Sequence, residues 1–282
     1  MGDRDVLGAD AAVVRGARLS LPRAIVARQG PPGRRDPRRS LAAQGSRHPR
    51  DVDHYEKLVR SIDDPEPPIL IGHSFGGLFT QLLLDRGLGA AGVAIDSAPP
   101  RGVWPFEPSA FRALGGALLR SVFGTRVVRW SFGEFRYGFV HTLPLAEARE
   151  AYERHVVPES GRIFFEGALA PIDPRSPARV NFANGTRAPL LLIAGEHDHV
   201  VPPVVNRRNY DAYRRSTART DFREFPDRVH WILAQDGWEE VAEHIAGWLD
   251  GLGLGPASTT TKASRRLPGR ESPTDASLPM ER

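Results

Sequence analysis

The stretch Pro67–Gly87, PPILIGHSFGGLFTQLLLDRG, constrains the fold more than any other part of the chain. Ile69, Leu70 and Ile71 form a short apolar run after Pro65, Pro67 and Pro68, as a central parallel strand does. Gly72-His73-Ser74-Phe75-Gly76-Gly77 follows, and Leu78, Phe79, Leu82 and Leu83 then recur at helical spacing. Gly87 sits where a helix C-terminus favours glycine. A strand that runs straight into a helix needs a tight turn. A serine on that turn has strained backbone and an exposed hydroxyl, and small neighbours let the two backbones approach. A Gly-x-Ser-x-Gly also arises by chance in a chain with 28 Gly in 282 residues, so the flanks decide.

The flanks agree. Tyr55, Leu58, Val59 and Ile62 fall at i, i+3, i+4 and i+7, with Asp51 or Asp53 as an N-cap. AAGVAIDSAPP reads as a second buried strand ending at Asp96, and APLLLIAGEHD as a third, Pro189 to Ala194. A polar helix near residues 204–215 and a short strand near Phe222–Phe225 come next. A closing helix over 237–250 presents Trp238, Val241, Ile245, Trp248 and Leu249 on one face and ends at Gly251. This alternation predicts an α/β fold, a mostly parallel central sheet flanked by helices.

A serine hydroxyl is a poor nucleophile near neutral pH. It needs a general base, usually an imidazole, and a carboxylate that orients the imidazole. Ser74, Asp198 after the third strand and His230 in FPDRVHWIL would all lie at the carboxyl edge of a parallel sheet, where open α/β folds place their sites. Asp96 is the alternative acid, because it too ends a strand and precedes the histidine. Each residue also has a plainer reading. Ser74 can ease strand–helix packing, and Asp198 or Asp96 can serve a turn. His73 is too close to Ser74 to be its base and instead lines the site. His197 and His199 flank the acid and point elsewhere, and His141, His155 and His244 fall on helices or loops. Neighbours in EHDH, 196–199, diverge at a strand end and cannot surround one ion. No cysteine assists them, so no metal site is expected.

From about residue 51 to 250 the chain resembles the α/β-hydrolase family of serine hydrolases, on GHSFGG, GEHDHVVP and HWILAQDGWEEVAEHIAGWL in that order. The resemblance implies Ser74 as nucleophile, Asp198 as acid and His230 as base, and the amide of Phe75 as one oxyanion donor. It implies no cofactor. It also implies that residues 101–185 are a helical cap inserted in a core of 51–100 and 186–252. Nine of the chain's 23 aromatic residues lie between Trp104 and Phe139. An apolar cap facing the site suits a small apolar ester as substrate, with His73, Trp104 and Phe106 as the contacts. Hydrolysis of a carboxylic ester is then the expected reaction, although the same triad supports peroxide chemistry or C–C bond hydrolysis.

The two ends differ from the middle. Residues 1–50 hold 11 Arg against 4 Asp, and residues 251–282 hold 5 basic against 3 acidic residues, so the central segment is acidic although the chain is +4 overall. That charge distribution argues against nucleic acid as a partner. No apolar run approaches the roughly 18 residues of a membrane span, and no secretory signal core is visible; a cytoplasmic protein is expected. AAVV and AIVA are short strand candidates, but residues 1–50 are otherwise rich in Arg, Pro and Gly. Such an opening is atypical of the family. It predicts a sheet lacking strands on one side, no second oxyanion donor, and a poorly soluble or weakly active chain. A non-catalytic relative binding an apolar ligand or a partner chain is the competing reading. Residues 253–282 read as a disordered tail. Oligomeric state is not legible.

Overall fold

The computed structural model describes residues 11–14, 24–27, 48–122, 127–160 and 170–255. A six-stranded sheet forms the centre, in the order β1 (Ala11–Val14), β2 (Ala24–Ala27), β3 (Ile69–His73), β4 (Ala91–Ile95), β7 (Leu190–Gly195) and β8 (Thr220–Phe225). β1 runs antiparallel to β2 and all other pairs are parallel. The helices α1 (His48–Arg60), α2 (Phe75–Asp85), α6 (Pro203–Ala212) and α7 (Trp238–Asp250) flank it. α1 begins three residues before Asp51, so neither Asp51 nor Asp53 caps it. Asp53 instead pairs with Arg86 at 2.8 Å.

Parallel strands are covered on both faces, which is why they read as continuous apolar runs. Alternate residues face opposite ways. Leu70, Ala94, Leu190 and Leu192 join Tyr55 and Val59 of α1 and Leu78, Leu82 and Leu83 of α2 on one side. Ile69, Val93, Ile95, Leu191 and Ile193 join Val241, Ile245, Trp248 and Leu249 of α7 on the other. Trp238 is the member of the expected α7 face that the core does not take; it is 43% exposed.

The expectation of a sheet bare on its early side is corrected. β2 lies beside the serine's own strand, with Ala24 opposite Ile69 and Ala27 opposite Gly72. A four-residue apolar run in an Arg-rich setting is a weak signal, and its pairing with β3 across more than 40 residues is a tertiary event. The segment after β2 that would carry a second oxyanion donor lies outside the described residues, as does the tail from 256.

Between β4 and β7 the chain leaves the sheet. It builds α3 (Pro108–Val122), β5 (Val127–Val128), α4 (Phe132–Phe139), α5 (Leu145–His155) and β6 (Glu159–Ser160). β5 and β6 form an antiparallel pair that the helical expectation did not include. Ala117, Val128, Trp130, Phe135, Val140 and Ala148 give the insert its own core. Ser131 caps α4 in a reciprocal capping box with Glu134, whose carboxylate also accepts two bonds of 2.9 Å from Arg120 of α3.

Candidate active site

Ser74 stands between β3 and α2 with φ 57° and ψ −120°, a conformation that non-glycine residues adopt only where the surroundings force it. The forcing bonds are visible. Its N–H donates to Ile95 O at 3.0 Å, and its carbonyl accepts from Gly77 at 3.0 Å and from Ala98 at 3.0 Å. A Cβ on Gly72 would lie 2.0 Å from Gly76 O, and one on Gly77 would lie 2.8 Å from Ser97 Cβ. Strand, turn and helix therefore fit only with glycine at both places. The Ser74 hydroxyl makes no cap bond to α2, whose first amide is that of Phe75.

Asp198 and His230 meet at the same sheet edge. His230 Nδ1 donates to Asp198 Oδ2 at 2.6 Å, and both residues are 2% exposed. The other oxygen of Asp198 accepts from the amides of Val200 (2.7 Å) and Val201 (2.9 Å). Burial pushes the Asp198 carboxyl up, and the amides of Val201 and Val200 oppose it. Three donors around two oxygens make a cage that fits the carboxylate form. Burial lowers His230 to about 3, so the imidazole is neutral in the resting protein, with Nε2 left as an acceptor.

The two loops are fastened to each other by residues without a sequence signature. His197 N–H donates to Arg228 O at 2.8 Å, and a Cβ on Gly195 would lie 2.7 Å from that same oxygen. Arg228 in turn donates to Asp236 O, Gly237 O and Glu240. Gln235 accepts from Val229 N–H and donates to Asp227 O, which closes the histidine loop. Every pairing joins residues with no periodicity in common, so only the tertiary structure reveals them.

The ring of His73 lies 4.5 Å from that of His230. Phe139 of the insert packs edge-on against His230 at 5.2 Å, and Trp231 beside it packs on Phe135. Trp104 and Phe106 pack on each other, and Phe106 stacks on Phe111; among the described residues neither makes a ring contact with His230. Among the described aromatics of this stretch it is Phe139 whose ring meets His230, and only the folded insert brings it there. Asp96 ends β4 as expected, yet it gives one oxygen to Gly195 N–H at 2.7 Å and does not hydrogen-bond His230. His199 turns away to Tyr137 O. Glu196, His197 and Asp227 bring three ligating atoms within 4.8 Å on the exposed rim, where His197 lies 3.6 Å from Asp227 as an ordinary surface pair. No helix among the described residues is long and apolar enough to cross a membrane.

Comparison with known proteins bears on this geometry. The family model described as "Alpha/beta hydrolase family" matches residues 7–244, so the match begins well before residue 51 and takes in β1 and β2. A protein of Mycobacterium tuberculosis assigned as a non-heme bromoperoxidase superposes with a TM-score of 0.55 at 20% identity, over 74% of this chain and 75% of that one. A carboxylesterase of the thaumarchaeon Nitrososphaera gargenis superposes with 0.52 at 14% identity, over 74% of each. A monoacylglycerol lipase of Paleococcus ferrophilus is 25% identical with a TM-score of 0.48, over 71% of this chain and 75% of that one. No curated protein matches the chain. The sheet order, the serine turn and the length of the family match have one reading: the chain is a member of the alpha/beta hydrolase family.

Proposed function

We propose that the protein is a serine hydrolase that cleaves a carboxylic ester of an apolar acid through Ser74, His230 and Asp198. The observation that carries this reading is the buried 2.6 Å bond between His230 Nδ1 and Asp198, at the same sheet edge as a serine held at φ 57°. The neutral Nε2 takes the proton of the Ser74 hydroxyl as its oxygen bonds to the ester carbonyl carbon. Asp198 stabilises the imidazolium that forms. The proton then passes to the leaving alkoxide, the C–O bond breaks, and an acyl-enzyme remains. Water attacks it by the same route and releases the acid. The Phe75 amide, first of α2, donates to the oxyanion, assisted by the helix N-terminus.

The insert acts as the cap. Phe139 against His230 keeps water from the imidazole and gives the site an apolar wall. His73 lines the site, and Trp104 and Phe106 are contacts for the substrate further out. No cofactor enters this chemistry, and the protein works in the cytoplasm.

Hydrolysis of p-nitrophenyl esters of increasing acyl length, wild type beside Ser74→Ala, tests the reading. The wild type should release product with an initial burst and prefer medium or long chains. Ser74→Ala should lose at least about 10³ in kcat. Unchanged hydrolysis in Ser74→Ala overturns the assignment.

A further inference from the structure

Asp96 and Asp198 end neighbouring strands, and their surroundings differ in kind. Asp198 meets donors at both oxygens. Asp96 is 0% exposed and meets a donor at one: Oδ1 accepts from Gly195 N–H, while Oδ2 has no hydrogen-bond partner. His73 Nε2 lies 3.9 Å from that oxygen and is also buried and without a hydrogen-bond partner. The His73 ring interacts with the backbone of His230, which draws its proton to the other nitrogen, and burial keeps the ring neutral. Nε2 therefore turns a lone pair toward a carboxyl oxygen. Two acceptors facing each other across a buried gap repel, and leaving both unsatisfied is costly.

We propose that Asp96 carries a proton on Oδ2, donated toward His73 Nε2, and acts in this neutral form as a positioning residue for the acid loop. One proton resolves three features at once. It gives both vacant atoms a partner, with a small turn about the soft Cβ–Cγ torsion closing the gap. It matches the division of roles in a carboxylic acid, whose carbonyl oxygen accepts from Gly195 and whose hydroxyl donates. It also removes a second negative charge beside Asp198. The groups facing Asp96 are His73 from β3, Gly195 at the end of β7, Asp198 from the acid loop, and His230 from the histidine loop. His73, Asp96 and His230 bring one titrating atom each within 4.8 Å of one another. Burial and the nearby Asp198 both raise the Asp96 carboxyl, which agrees with the geometry. Positioning runs through the backbone: Asp96 holds the Gly195 amide, and Gly195 O accepts from the Asp198 amide at 3.2 Å. Asp96 is held at φ 42° while it does this.

The effect on rate rests on the triad reading; the proton itself does not. Carboxyl carbon NMR of isotope-labelled aspartate in the full chain reads it directly. At about pH 7 one resonance should sit at the protonated position and vanish in Asp96→Asn. Asn mimics the neutral acid, so Asp96→Asn should keep kcat within about threefold, whereas Asp96→Ala should lose about tenfold or more in kcat with little change in KM. The melting temperature of Asp96→Asn should exceed that of the wild type by a margin that grows from about pH 5 to pH 8. The wild-type native state keeps a proton there that its unfolded chain gives up. A protonated resonance that is absent, or a margin flat with pH, overturns the proposal. A large loss in Asp96→Asn equal to that in Asp96→Ala does so as well. If Ser74→Ala hydrolyses esters normally while the resonance is present, the triad reading fails and the proton assignment stands.

Discussion

Gly72 is fixed by its neighbours, because the Gly76 carbonyl and the Thr80 hydroxyl occupy the space a side chain would need. Gly72→Ala should therefore cost about 3 kcal/mol or more, the upper end for overpacking, as a fall in the urea midpoint. An unchanged midpoint would show that the turn can relax. The proposed triad makes a different kind of prediction. His230→Ala should lose as much ester hydrolysis as Ser74→Ala, and the double variant should be no worse than either single one, since the residues act as a unit. Asp198→Asn should cost at least about 10² in kcat, because the amide can donate toward His230 Nδ1 and select the wrong tautomer. A heavier loss in Asp96→Asn than in Asp198→Asn would move the acid role to Asp96.

Among the elements, α7 separates burial from mere periodicity. Trp238 shares its helical face in sequence with Leu249, but Leu249 is fully buried against the sheet and Trp238 faces solvent at the first turn. Leu249→Ala should cost about 2–5 kcal/mol, and Trp238→Ala well under half of that, by denaturant titration. Equal costs would mean that Trp238 finds a partner the fold does not show. In the insert, Ser131→Ala removes one side of the capping box on α4 and should cost about 1 kcal/mol. Because α4 carries Phe135 and Phe139 to Trp231 and His230, the same change should lower kcat modestly without touching the site.

For the molecule as a whole, buried titrating groups set the pH response. His230 is held neutral by burial at about 3, and burial also holds His73 well below its ordinary value of 6.5. The unfolded chain binds protons at both residues below about pH 6.5 while the native state does not. Their contribution to stability is present above that pH and is lost as pH falls toward 4. Asp96 and Asp198 run the other way, since a raised native pKa makes the contribution of each fall as pH rises above about 4. His141, lowered by burial to about 4, joins the other two histidines, and the three outnumber the two carboxyls in the shared window. The urea midpoint should rise from about pH 4.5 to pH 6.5 and then level or decline slightly. A midpoint that falls steadily across this range would show that the histidines are charged in the native state.

The sequence by itself determined β3, β4, β7 and β8, the helices α1, α2, α6 and α7, the serine turn, and the order serine, acid, histidine. All of these are local signals: apolar runs for strands buried on both faces, a 3.6-residue period for helices, and glycines where backbones touch. It also marked Ala11–Val14 and Ala24–Ala27 as strands without showing that they join the sheet, since pairing depends on neighbours far along the chain. Only the tertiary structure tells the two aspartates apart. Asp96 and Asp198 look alike in sequence, each at the end of an apolar strand, and nothing local distinguishes them. The difference is a hydrogen-bond partner: His230 Nδ1 lies 2.6 Å from Asp198, while Asp96 is committed to the backbone of Gly195, 99 residues away. Tertiary packing likewise chose Phe139 over Trp104 and Phe106 as the aromatic beside the histidine, because contact with His230 depends on how the insert folds back. Burial then set the charge of each group, and burial is a property of the assembled core that no short stretch of sequence carries.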